Sequence, residues 1–189
     1  MKIKHGMILA AGLGKRMQPL TNKKPKPLLE IGGITLLERA INLLINHGVK
    51  EISVNIHHLG DQIEKYISDL KSEVKIKISN EKDSLLDTGG GVKKGTKDFK
   101  ENPFFVINPD TLWSNKYSKE VQSLEKEYFT NKRPCLLLVK KKLSLDNSFK
   151  GDFNLKNNLI SKDVQNQFIF TGLQIIKNDH LLSFNKDIF

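Results

Sequence analysis

The sequence predicts a Rossmann-like, three-layer α/β/α domain with helices on both faces of a mainly parallel sheet. Three observations carry this. Apolar runs of strand length alternate with segments of helical period, some of those runs lack polar alternation, and a glycine-rich turn follows the first of them. The strand runs are GMILA, EISVNI, VKIKIS and PFFVIN, and the segments between them are TLLERAINLLIN, GDQIEKYISDL and GGVKKGTKDF. Leu37, Ile41 and Leu44 fall on one helical stripe, and Ile63, Tyr66, Ile67 and Leu70 on another, so each helix has a face to lay on a sheet. MILA and FFVIN read as strands covered on both sides. From about Lys140 the texture turns to Lys, Asn and Ser, with short strand candidates GDFNL and FIFTGLQII. These predict a small β-rich appendage on the same domain, and KKKLSLDNSFK reads as a solvated loop.

The 189 residues, 38% hydrophobic and 28% charged, suit a single domain, 1–189, with one continuous core. The N-terminus enters a brief apolar run that ends in glycine, with no long apolar segment and no cleavage site, which points to a cytoplasmic protein with no membrane partner. The one cysteine, Cys135, lies in the run CLLLV and reads as a small core residue. The net charge of +10 is spread along the chain without an arginine-rich or aromatic-interleaved stretch, so nucleic acid is not expected as a partner. One cluster stands apart. Lys15, Arg16, Lys23, Lys24 and Lys26 lie directly after the first strand with no acidic residue among them.

That cluster belongs to the stretch AAGLGKRM, which continues as QPLTNKKPKPLLEIGG. A glycine-rich turn at the carboxyl end of a parallel strand presents free backbone N–H groups and lets a phosphate approach. The dinucleotide fingerprint GxGxxG fails because Met17 stands where its last glycine belongs. The segment GGGVKKGT fails the P-loop pattern because Thr96 follows Gly95 with no lysine between them. Arg16 can fork onto phosphate oxygens, and Lys26, held between Pro25 and Pro27, supplies a point charge on a stiffened backbone. Asp110, just past the apolar run FFVIN, is a candidate Mg²⁺ ligand, since in-line chemistry between polyphosphates needs a divalent cation. His57 and His58 are neighbours on an extended chain and point to opposite sides, so they read as structural or pocket-lining rather than as one metal site.

The stretch LAAGLGKRMQPLTNKKPKPLLEIGG resembles the signature loop of the nucleoside-diphosphate-sugar pyrophosphorylases, the NTP transferase family. Within it, TGGG, NPDTLW, GDF and FTG are similar to the short bacterial group of N-acetylmuramate-1-phosphate uridylyltransferases and mannose-1-phosphate guanylyltransferase-like proteins. The resemblance implies the nucleotide-diphospho-sugar transferase fold, with a nucleotide-binding core at 1–139 and a sugar-binding part at 140–189. It implies a nucleotidyltransferase that joins a nucleoside triphosphate to a sugar 1-phosphate and releases pyrophosphate, acting as monomer or homodimer. UTP with N-acetylmuramic acid 1-phosphate is the leading pair, and GTP with mannose 1-phosphate the alternative.

It further implies that Leu9, Ala10, Ala11, Gly12 and Gly14 hold the nucleotide. Arg16 would bind the leaving phosphates, Lys26 would bridge the reacting ones, and Asp110 would coordinate Mg²⁺. Glu81, Thr88, Gly89 and Gly90 fall in the base-reading region, and Asn108, Gly151, Asp152, Thr171 and Gly172 in the sugar pocket. Phe170 replaces an asparagine that several relatives carry, and with it a sugar contact. A second metal-binding aspartate, usual in a motif like WxDxG, has no counterpart: Asp179 and Asp187 are the late acidic residues and neither has that context. A chain truncated at its C-terminus accounts for this, and a catalytically incomplete nucleotide-binding regulatory module is the reading of another class.

Overall fold

The computed structural model describes residues 1–83, 85–146 and 148–182. The first strand, β1 (His5–Leu9), is followed by a long loop with 3-10 turns at Lys15–Met17 and Lys26–Leu28. A short hairpin of β2 (Glu30–Ile31) and β3 (Ile34–Thr35) leads into α1 (Leu36–His47). The Thr35 side chain caps α1 by accepting the Glu38 N–H at 3.0 Å, and Gly48 ends it in a left-handed conformation. Helix and strand then alternate through β4 (Glu51–Ile56), α2 (Gly60–Asp69), β5 (Lys75–Asn80), α3 (Thr88–Thr96) and β6 (Phe104–Ile107). The remainder comprises α4 (Ser118–Asn131), β7 (Cys135–Lys140), β8 (Asn154–Lys156), β9 (Leu159–Ser161), β10 (Phe168–Ile176) and α5 (Asp179–Leu182).

The main sheet has the order β5-β4-β1-β6-β10-β7. Strands β5, β4, β1 and β6 are parallel, and β10 runs antiparallel to both β6 and β7. Alternation along each strand divides the core between two faces. Ile8, Phe105, Ile107, Leu173 and Ile175 face the larger cluster, which includes Leu37, Ile41 and Leu44 of α1, Ile63 of α2 and Val121 and Tyr128 of α4. Met7, Phe104, Val106 and Ile176 face the smaller one, with Val92 of α3 and Phe99. The expected three layers are present.

Three features depart from the sequence reading. FIFTGLQII, expected in an appendage, is β10 and lies inside the main sheet, because Leu173 and Ile175 are as apolar and buried as any central-strand residues. The amphipathic helix α4 was hidden by a glutamate in its apolar stripe. Val121, Leu124, Glu125 and Tyr128 are buried together, and the Glu125 carboxylate accepts the Ile3 N–H at 2.7 Å. Cys135 is half-buried instead of a core residue, since β7 is the edge strand; burial, with a lesser push from Glu127, raises its thiol pKa and leaves it a poor nucleophile.

Candidate functional site

The connection that leaves β1 through α1 carries the chain to β4 on one side, and the connection that leaves β6 through α4 carries it to β7 on the other. Adjacent strands β1 and β6 are therefore left by connections running in opposite directions. At such a switch point the loops part and open a crevice beyond the carboxyl ends of the strands. A cleft of about 470 Å³ lies there, floored by Leu9, Ala10 and Ala11 and walled by the 85–88 segment and by Asn108–Asp110. That volume suits a nucleotide-sized ligand.

The loop after β1 is fixed at both ends. Where β1 leaves the sheet, the Ala10 N–H donates to the Asn55 side-chain oxygen at 2.8 Å. Further on, Gly14 is left-handed at φ 65°, and its carbonyl accepts both the Met17 N–H (2.9 Å) and the Thr21 hydroxyl (2.8 Å). This turn sends Lys15 and Arg16 to the cleft rim, where Arg16 is exposed and has no ion-pair partner among the described residues. Of the other cations in the basic cluster, Lys24 turns away to Glu30 at 2.6 Å, and Lys26 enters the cleft.

Lys26 is held as its flanking prolines suggest. Pro25 caps the 3-10 turn in an extended conformation, the Pro25 carbonyl accepts the Leu28 N–H at 2.9 Å, and Pro25, Pro27 and Leu28 are buried. The Lys26 ammonium then reaches across the cleft and donates to Asp110 Oδ2 at 2.6 Å. Asp110 rides on a loop tied down from below. Asn108 N–H donates to the Gly172 carbonyl, the Trp113 indole N–H to the Asn108 carbonyl, and the Thr111 hydroxyl to the Thr171 carbonyl, each at 2.8 Å. Cation and carboxylate thus converge from opposite sides of the switch point.

The structure gathers Leu9, Ala10, Ala11, Gly12, Gly14, Arg16, Lys26, Thr88, Asn108 and Asp110 around one cleft. Gly89 and Gly90 lie in the first turn of α3 behind Thr88 and do not line it. Glu81, expected at the base, needs correction: it is 1% exposed, with one oxygen taking the Asn55 amide at 2.8 Å and the other the Leu86 N–H at 3.0 Å. Both its oxygens already accept from the protein, and it does not line the cleft.

The sugar-pocket residues are also placed apart. The Asp152 carboxylate accepts the Phe170 N–H at 2.8 Å, beside the irregular pairing between Phe170 and Gln174, and Gly151 packs on Asn166. Thr171 donates its hydroxyl to the Leu137 carbonyl. Gly151, Asp152, Thr171 and Gly172 do not line this cleft, and the carbonyls of Thr171 and Gly172 hold the Asp110 loop.

Asp179 is ion-paired with Lys177 at 3.2 Å, which lowers its pKa. It follows Ile176, whose partner Phe104 begins β6, so it sits at the sheet edge opposite Asp110. Asp187 lies outside the described residues. His57 meets the Glu81 carbonyl and His58 lies near the Thr21 carbonyl, in line with structural roles. Asn55 is the residue that sequence reasoning missed; its signal was one polar side chain inside the run ISVNI.

A family model described as nucleotidyl transferase matches residues 5–141, and the chain belongs to that family. An N-acetylmuramate alpha-1-phosphate uridylyltransferase of Caulobacter vibrioides is 34% identical over 153 residues, which is 79% of this chain and 63% of that protein. Its namesake from Neisseria meningitidis serogroup B is 41% identical over 107 residues, 56% of this chain and 46% of that one. The chain thus spans less than two thirds of either relative. Among solved structures, a UDP-glucose pyrophosphorylase complexed with UDP-glucose superimposes with a TM-score of 0.79 at 18% identity, over 95% of this chain and 78% of that one. At that identity the likeness bears on the fold, which is shared.

Proposed function

We propose that the protein transfers a nucleotidyl group from a nucleoside triphosphate to a sugar 1-phosphate and releases pyrophosphate, with UTP and N-acetylmuramic acid 1-phosphate as its pair. The observation that carries this reading is the convergence of Arg16, Lys26 and Asp110 on a glycine loop at the sheet's switch point. The two relatives named as uridylyltransferases support the choice of pair.

No protein nucleophile is required. A phosphate oxygen of the sugar 1-phosphate forms a bond to the α-phosphorus as the bond to the pyrophosphate oxygen breaks, so catalysis reduces to alignment and charge neutralisation. Backbone N–H groups of the loop around Gly12 and Gly14 hold the phosphates, Arg16 at the rim takes the leaving pyrophosphate, and Lys26 is shared between Asp110 and the reacting phosphates.

Among the described residues no group of three or more His, Cys, Asp or Glu side chains could hold a metal unaided. A lone, partly exposed carboxylate such as Asp110 still fits Mg²⁺, which keeps water and takes phosphate oxygens as its other ligands. Bound there with the nucleotide, the ion would neutralise phosphate charge.

The test follows pyrophosphate release with each nucleoside triphosphate paired with each of several sugar 1-phosphates. Release with UTP and N-acetylmuramic acid 1-phosphate is expected. Release only with GTP and mannose 1-phosphate keeps the reaction and replaces the pair; nucleotide binding without release from any pair overturns the enzyme reading in favour of a regulatory module.

A further inference from the structure

Two buried polar side chains, Asn55 in the cleft lining and Glu81 behind it, have no part in the reaction as proposed. Asn55 is 4% exposed and Glu81 1%. They join two segments distant in sequence through a continuous row of hydrogen bonds: Ala10 N–H to Asn55 Oδ1 (2.8 Å), Asn55 Nδ2 to Glu81 Oε1 (2.8 Å), and Leu86 N–H to Glu81 Oε2 (3.0 Å). Ala10 begins the phosphate loop and Leu86 lies in the facing wall. Glu81 is itself fixed, its N–H donating to the Ile56 carbonyl and its carbonyl meeting His57. Space for the row comes from Gly91 of α3, where an added Cβ would stand 2.8 Å from both Asn55 Nδ2 and Glu81 Oε1.

Resting on the nucleotide-site reading above, we infer that Asn55 and Glu81 are positioning residues that hold the phosphate loop and the 85–88 wall at one fixed separation. The chemistry of the row makes this specific. Two backbone donors, at Ala10 and Leu86, face each other through one amide and one carboxylate, and each donor meets an acceptor only because Glu81 offers two acceptor oxygens. A glutamine in place of Glu81 supplies one acceptor and one donor group. Whichever way the two amides turn, one donor must then face another, at Leu86, between the side chains, or at Ala10. Exchanging the two groups, with the carboxylate at position 55 and the amide at position 81, removes the conflict. The relocated carboxylate would accept from Ala10 N–H and from the relocated amide, whose oxygen accepts from Leu86 N–H.

The experiment compares the full wild-type chain with E81Q, N55D and N55D/E81Q. Amide exchange at Ala10 and Leu86 is read by NMR without nucleotide, and Mg-UTP affinity by calorimetry where circular dichroism shows each protein folded. E81Q is expected to speed exchange at one or both amides and weaken Mg-UTP binding by roughly tenfold, since a buried donor loses its acceptor. N55D, with two carboxylates in contact, should be at least as damaged, and the double variant should recover both readouts to within about twofold. Wild-type affinity and exchange in E81Q, or a double variant no better than its parents, overturns the relay. Should E81Q fail to fold, the double variant decides, because it folds and binds only if the row is what the pair maintains. A wild-type chain that does not bind Mg-UTP sinks the nucleotide reading instead, and the exchange arm still judges the relay.

Discussion

Replacing Lys26 with Ala separates a catalytic charge from a structural one. The Lys26–Asp110 contact is short, at 2.6 Å, but the side chains are 24% and 39% exposed. An ion pair that open to water contributes about 0.2–1 kcal/mol to stability. For a chain of 189 residues, that corresponds to a fall in Tm of no more than roughly 4 °C. The effect on turnover should be larger, because charge on the transferring phosphates redistributes in the transition state inside a cleft that partly excludes water. Loss of one preorganised cation there costs about 10²-fold, or about 2.7 kcal/mol. Calorimetric melting together with pyrophosphate release on the same preparations measures both. Unchanged turnover, or a Tm lowered by more than about 10 °C, would refute the assignment, since the lysine would then be either idle or part of the fold.

Asp110→Asn should leave the melting curve close to wild type, because the residue lies beyond β6, and should remove the Mg²⁺ dependence of nucleotide binding measured by titration with and without the metal; a chain that unfolds would make Asp110 a structural cap. Gly14→Ala forces a left-handed alanine whose Cβ lies 2.9 Å from Thr21 Cγ2, so chemical denaturation should show a loss of about 1–2 kcal/mol, whereas Gly12→Ala, with nothing within 4 Å, should be far milder. Burial lowers the pKa of both His5 and His180, so the unfolded chain binds more protons than the folded one below the ordinary histidine value of about 6.5. Stability should therefore be fully present above that pH and fall as the pH drops through it. Glu51, its pKa lowered first by a hydrogen bond from Lys77, adds a further loss in the carboxylate range, and a Tm that rises on acidification from pH 7 to 5 would contradict this.

The parallel half of the sheet was legible because β1 and β6 are continuous apolar runs and α1 and α2 each carry an apolar stripe between strand-length segments. Helix α4 was not, since Glu125 occupies a core position and is stabilised there by Ile3, a partner 122 residues away. The place of β10 was equally hidden: its run reads as a strand, but only the pairing Leu173↔Ile107 and Ile175↔Phe105 puts it beside β6. At the site, Arg16, Lys26 and Asp110 were readable because charge and proline spacing are local signals. Glu81 was misread for the opposite reason, as a carboxylate next to a loop looks solvated until Asn55 and Leu86 are seen to occupy both its oxygens.

On the proposed function, the cleft between β1 and β6 receives the triphosphate. Titrating the isotopically labelled chain with Mg-UTP and following backbone amide shifts tests it most directly. Saturable shifts should centre on Ala11, Gly12, Gly14, Arg16 and the 85–88 segment, with a smaller response near Asp110. An absence of saturable shifts, or shifts confined to α4 and to β7 at the sheet's edge, away from the cleft, would contradict it.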